Sequence, residues 1–257
     1  MIKEIHFIDE AKKHFQKTED EKLVVFDIDM VLTHCENPAF QMSNMHEHRF
    51  LARALTESLS AEQRDLFINL MIVKSDLMLI EDHVPKIIAG LQKQGTKTIA
   101  LTGALAGSLL AVQDMVKWRF DSLQSFGIDF SSAFPEKPEI LFHHFPKHFR
   151  SFPKFYRGIL FTNGGVGLAD KGKVLISFLK QVNWIPKQVV FLDDRRDNLA
   201  IVEKSLTDFD PEITFIGLHY KGAFHYPSEA ISAEAFEQAW QDLLQTMRQE
   251  LMVFEGA

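Results

Sequence analysis

The sequence predicts an α/β fold, a three-layer sandwich on a parallel sheet. Three observations carry this. The apolar run Leu23–Phe26 lacks polar alternation, and Thr96–Leu101, Gly158–Phe161 and Gln188–Leu192 each end in an apolar run, as strands do when both faces are covered. Longer segments with helical periodicity separate them, and strands alternating with helices give a parallel sheet. The runs also stop at polar residues: Asp27, Thr102, Thr162 and Asp193. In open α/β sheets the ligand sits beyond the carboxyl ends of the strands.

Residues 4–20 place Ile5, Phe7, Ile8, Ala11 and Phe15 among charges, which predicts a helix on the domain edge. Strand one follows at 23–28. Residues 38–82 carry helical spacing in Phe50-Leu51, Ala54-Leu55, Leu66-Phe67 and Leu70-Met71, with no strand signal between them. Ser60, ahead of Glu62 and Gln63, suits a helix start. Val84 to Gln94 predicts a helix closed by Gly95, Thr96 to Leu101 strand two, and Ala106 to Gln124 a crossover helix.

Gly127 to Arg157 holds Pro135, Pro138, Pro146 and Pro153 with His143, His144 and His148. Proline this dense argues against a regular helix or a central strand. An extended loop or hairpin leaning over the site is expected. Gly158–Phe161 is strand three, turned by Thr162-Asn163-Gly164-Gly165. Asp170 to Gln181 reads as a helix, Gln188 to Leu192 as strand four, Arg196 to Leu206 as a helix and Ile213 to Leu218 as strand five. Residues 232–253 read as a terminal amphipathic helix.

The chain has 257 residues, 46% of them hydrophobic and 25% charged, the profile of a globular α/β protein with room for an insertion. Its net charge of -7 makes nucleic acid and anionic membrane poor default partners. The single cysteine, Cys35, permits no intrachain disulfide, and no apolar run reaches signal-peptide or membrane-span length. A cytoplasmic location follows as the expectation.

Two carboxylates, Asp27 and Asp29, stand at the end of strand one. Such a pair can bind a divalent cation and leave one carboxylate free to attack or to move a proton. The run Val24-Val25-Phe26-Asp27-Ile28-Asp29-Met30-Val31 resembles the first motif of the haloacid dehalogenase superfamily. Thr98-Ile99-Ala100-Leu101-Thr102, Asp170-Lys171-Gly172 and Val189-Val190-Phe191-Leu192-Asp193-Asp194 resemble its other motifs, in the same order. Met30 departs from the pattern, since many relatives carry glycine there, and Val31 stands where many carry threonine.

The resemblance implies a Rossmannoid core over residues 1–32 and 86–257, with a small helical cap at 33–85. It implies a magnesium-dependent phosphohydrolase acting on a small phosphorylated substrate. Asp27 would be the nucleophile that forms an aspartyl-phosphate, and Asp29 the general acid and then base. A halide leaves without a proton, so Asp29 favours phosphate esters over haloacids. Thr102 and Gly103 would hold a phosphate oxygen, and Lys171, or Lys173 in its place, would neutralise the phosphate. Asp27, Asp29 and Asp194 would hold Mg2+, with Asp193 or Asp197 behind them or as alternates.

Two other readings stand beside this one, apart from phosphotransfer to an acceptor other than water, as in a mutase, which sequence alone does not separate from hydrolysis. The first is a catalytically silent domain of the same fold that binds a phosphorylated ligand or a protein. The second is a phosphate-binding glycine loop, because Gly167 to Lys173 fits G-x-x-x-x-G-K. Val174 then stands where a serine or threonine would be needed.

Overall fold

The computed structural model describes residues 1–16, 21–164 and 169–256. Among these, eight strands form one sheet in the order β1-β10-β9-β2-β5-β8-β7-β6. They are β1 (Ile2–Ile5), β2 (Lys22–Phe26), β5 (Lys97–Thr102), β6 (Glu139–Leu141), β7 (Lys154–Tyr156), β8 (Ile159–Phe161), β9 (Gln188–Asp193) and β10 (Thr214–Tyr220). The pairings from β1 across to β8 are parallel, while β7 and β6 join antiparallel. The sheet is therefore mostly parallel, with helices on both faces.

The period of two along β2 shows why. Val24 and Phe26 point into one core, with Ile88, Val116 and Phe120. Leu23 and Val25 point into the other, with Val174, Phe178 and Leu199. Helices α5 (Val84–Lys93) and α6 (Met115–Ser125) cover the first face. Helices α7 (Lys171–Gln181) and α8 (Arg196–Phe209) cover the second. Gly172 lets α7 and α8 close on each other: a Cβ there would lie 2.2 Å from Ser205 Oγ and 2.9 Å from the Ile201 carbonyl oxygen.

The third cluster is built apart from the sheet. Helices α3 (Arg49–Thr56) and α4 (Ala61–Val73) pack with the terminal helix α9 (Ala233–Gly256), and α2 (Met42–Glu47) packs against α3. Phe40, Leu66, Leu70 and Met71 share this core with Phe236, Trp240, Leu243 and Met247. The block at 33–85 thus does not pack alone, because α9 supplies the apolar face that its helices need. Ser60 caps α4 with Gln63 in a reciprocal capping box.

Several expectations need correction. Residues 4–20 are not one helix. Ile2–Ile5 forms the edge strand β1, and only a 3-10 turn (Ile8–Ala11) and α1 (Lys12–Phe15) follow; residues 17–20 of that segment lie outside the described residues. Parallel pairing with β10 gives Ile5 a buried place that periodicity alone does not reveal. The block at 38–82 does contain a strand: β4 (Leu77–Leu79) pairs antiparallel with β3 (Thr33–Cys35). Three residues with a partner more than 40 positions away leave little local signal.

The helix expected at 106–124 begins only at Met115, where Asp114 accepts the Val116 and Lys117 amides. Residues 106–114 form a loop instead. The segment at 127–157 forms the β6–β7 hairpin, and its His148 reaches Asp65 on α4 at 3.2 Å. Gly165 and the first residues of the glycine-loop motif, Gly167 and Leu168, lie outside the described residues.

Candidate active site

β2 ends at Phe26, and the turn after it is tight. The amides of Val31, Leu32 and Thr33 all donate to the Ile28 carbonyl. Met30 sits at φ 62°, in the left-handed region, which costs a residue with a Cβ about 1 kcal/mol. Glycine would adopt it freely. Asp27 thereby lies at the cleft base, 6% exposed, and its Oδ1 accepts the Ile28 amide at 2.8 Å.

Lys171, at the first turn of α7, lies between two carboxylates. Its Nζ is 2.8 Å from Asp27 Oδ2 and 2.7 Å from Asp193 Oδ2. Lys173 instead pairs with Asp170 at the half-exposed start of the helix. Of the two lysines, the buried one meets the carboxylates. Asp193 is fully buried and accepts further bonds from the Arg195 amide and the Asn198 side chain. Asp194 is half-buried and lines the cleft. Carboxylate oxygens of Asp27, Asp193 and Asp194 lie within 4.8 Å of one another.

This arrangement leaves negative charge uncompensated. Burial pushes the Asp27 carboxyl well above its ordinary range; Lys171 opposes the shift, and Asp193 and Asp194 add to it. Burial, then the Asp193 charge, pushes Asp194 up to about 7. For Lys171, burial works against the charge, but Asp193 and Asp27 outweigh it and hold the ammonium above its ordinary value. Three carboxylates face one lysine here. A hard divalent cation among oxygen donors suits such a donor set.

Asp29 and Asp197 stand outside this trio. Asp29 pairs with the Arg119 guanidinium at 3.2 Å while keeping a face on the cleft. Asp197 is exposed and pairs with Arg195 at 2.6 Å. Thr102 is buried, its hydroxyl accepting the Ala104 amide at 3.1 Å, while Gly103 and Ala104 form the wall.

Sequence reasoning missed Arg119, Asn198 and Asn69. Arg119 is 1% exposed, and a signal for it existed: it shares the stripe of Val116, Phe120 and Leu123 on α6. Asn69, buried on α4, accepts the Leu105 amide at 2.9 Å and ties α4 to the loop after β5. Nothing local distinguishes it from a solvated asparagine.

Above the carboxylates opens a cavity of about 410 Å3. Met42, Met45, Phe67, Ile68, Met71 and Trp240 form much of its wall. Cys35, on β3, is buried, and burial first and Asp29 second push its thiol up to about 12, so it is no nucleophile at neutral pH.

A family model described as "Protein of unknown function (DUF2608)" matches residues 4–252. An uncharacterised protein of Rickettsia bellii is 25% identical over 229 residues, covering 84% of this chain and 76% of the relative. An uncharacterised protein of Rickettsia prowazekii is 29% identical over 179 residues. That match spans 68% of this chain and 59% of the relative, under two thirds of its length. Among solved structures, the HAD domain of effector protein Lem4 from Legionella pneumophila (inactive mutant) is similar at a TM-score of 0.40 and 10% identity. The similarity covers 91% of this chain and all of that one.

Proposed function

The chain belongs to the DUF2608 family, and we propose that it is a magnesium-dependent phosphohydrolase acting on phosphate monoesters through Asp27. The observation that carries this reading is the Asp27 carboxylate at the base of a cavity, 2.8 Å from the Lys171 ammonium, with Asp193 and Asp194 beside it.

Asp27 attacks the phosphorus, and the bond from phosphorus to the ester oxygen breaks. Asp29, facing the same cavity, gives its proton to the departing oxygen. Water then attacks the aspartyl-phosphate, Asp29 takes the water's proton, and phosphate leaves with Asp27 restored. Lys171 balances charge on Asp27 and on the transferred group. The Gly103 and Ala104 backbone would line the phosphate's seat, Thr102 shaping that turn from below.

Asp27 and Asp194 would hold Mg2+ through their carboxylates, with Asp29 completing the set through its backbone carbonyl and keeping its carboxyl for the proton. Asp193, already engaged by Lys171 and Asn198, would orient its neighbours. When bound, the cation supplies the positive charge that lets a dianionic phosphate approach several carboxylates.

The test is a panel of phosphate monoesters assayed with magnesium and with EDTA. Release of inorganic phosphate is expected with magnesium and not with EDTA. Added magnesium should also raise the melting temperature, through preferential binding to the folded state. Absence of both would favour a silent domain that binds a phosphorylated ligand or a protein.

A further inference from the structure

The cavity wall opposite the carboxylates is made of Met45, Leu59, Phe67, Ile68, Met71 and Trp240. Its volume of about 410 Å3 falls in the range of small-molecule sites. Most hydrogen-bonding groups in that half are engaged with the protein itself. Thr56 donates its hydroxyl to the Ala52 carbonyl at 2.7 Å. Arg64 directs Nε and Nη2 to the Leu59 and Glu57 carbonyls. Asp65 pairs with His148 at 3.2 Å. Asn69 bonds the Asp65 carbonyl and the Leu105 amide, and the Trp240 indole N–H donates to the Ala39 carbonyl at 3.1 Å.

A polyhydroxylated group placed there would lose its bonds to water and find few replacements, a cost of burying polar groups. An apolar group would lose nothing and would cover exposed carbon, including Ile68, which is 47% exposed at the rim.

We infer that this wall selects phosphate monoesters of apolar alcohols or phenols over those of sugars. The inference rests on the phosphate-site reading of the floor and adds the class of the group that leaves.

Two primary esters of matched shape isolate the effect: cyclohexylmethyl phosphate and glucose 6-phosphate. Each carries a six-membered ring on a CH2–O–P linkage, so the difference lies in the hydroxyls and the ring oxygen. With magnesium present, kcat/KM is expected to favour the cyclohexylmethyl ester by at least about tenfold. Ile68→Ser, at an exposed position that folding tolerates, should raise KM for that ester about three- to tenfold and narrow its advantage over glucose 6-phosphate.

Calorimetry with the unreactive methylene phosphonates of the same two compounds reads the wall without turnover. Tighter binding of the cyclohexyl compound, by about the same factor, supports the inference. Equal binding, tighter binding of the sugar analogue, or no binding of either overturns it. Loss of turnover on both esters with the binding preference intact would sink the hydrolase reading alone.

Discussion

The floor and the roof of the cleft are built on opposite principles. The floor comes from the ends of adjacent parallel strands: Asp27 follows β2, and Asp193 ends β9 beside it. Asp27 and Asp193 have fixed partners there, Lys171 at 2.8 and 2.7 Å, and Asp193 also meets Asn198 at 3.0 Å. The roof joins segments far apart in the chain, α4 and α9, through apolar packing: Phe67, Trp240 and Phe236 have ring centroids 5.0 to 5.2 Å apart. The floor holds charge in place against its own repulsion and burial. The roof excludes water and imposes little direction. Mutations should therefore separate, with floor changes acting on the rate and roof changes on stability and substrate affinity.

The largest expected effect is at the floor. Asp27→Asn should lower kcat by at least about a thousandfold, because the attacking oxygen is lost. It removes a buried charge from a site with excess carboxylate, so the thermal midpoint of the metal-free protein should stay level or rise. A large fall in the midpoint would mean that the floor holds up the fold, and the comparison would break.

Trp240→Ala tests the other side. Trp240 is 6% exposed and bonds the Ala39 carbonyl. Its truncation should cost about 3 kcal/mol of unfolding free energy, read from urea titration. Turnover at saturating substrate should stay within about tenfold. A collapse of kcat with full stability would show that the roof takes part in the chemistry.

Arg119 joins α6 to the floor through Asp29. Arg119→Met should reduce kcat about ten- to a hundredfold by freeing the Asp29 carboxyl to swing. The loss should grow with the pKa of the leaving alcohol, and Arg119→Lys should restore part of it. A loss independent of leaving group would make Arg119 structural only.

The smallest effect concerns the ribbon between floor and roof. His34 on β3 is buried, and both ring nitrogens lack partners. Burial lowers its pKa from 6.5 to about 4. The unfolded chain therefore takes up the proton first as pH falls. His34 favours the folded state above its unfolded pKa, and that contribution is lost between about 6.5 and 4. The loss should reach about 2 kcal/mol by about pH 5. Urea titrations of wild type and His34→Leu across that range should show the slope shrinking in the variant.

The floor was legible in the sequence because its residues are fixed by chain position. Apolar runs that end in Asp27, Thr102 and Asp193 announce parallel strands, and the parallel register carries those ends to one edge. Helix starts with local chemistry, such as Ser60 and Asp170, were legible for the same reason. The choice between Lys171 and Lys173 was not, since both open the same helix and only the sheet decides which one faces Asp27. The partnership of α9 with α4, the short strand β4 that pairs with β3, and the edge strand β1 were also beyond it. Their stabilising contacts join residues dozens to hundreds of positions apart, and a short or amphipathic segment does not name its partner. Strand ends and caps are properties of the local chain, whereas the roof exists only where distant apolar faces meet.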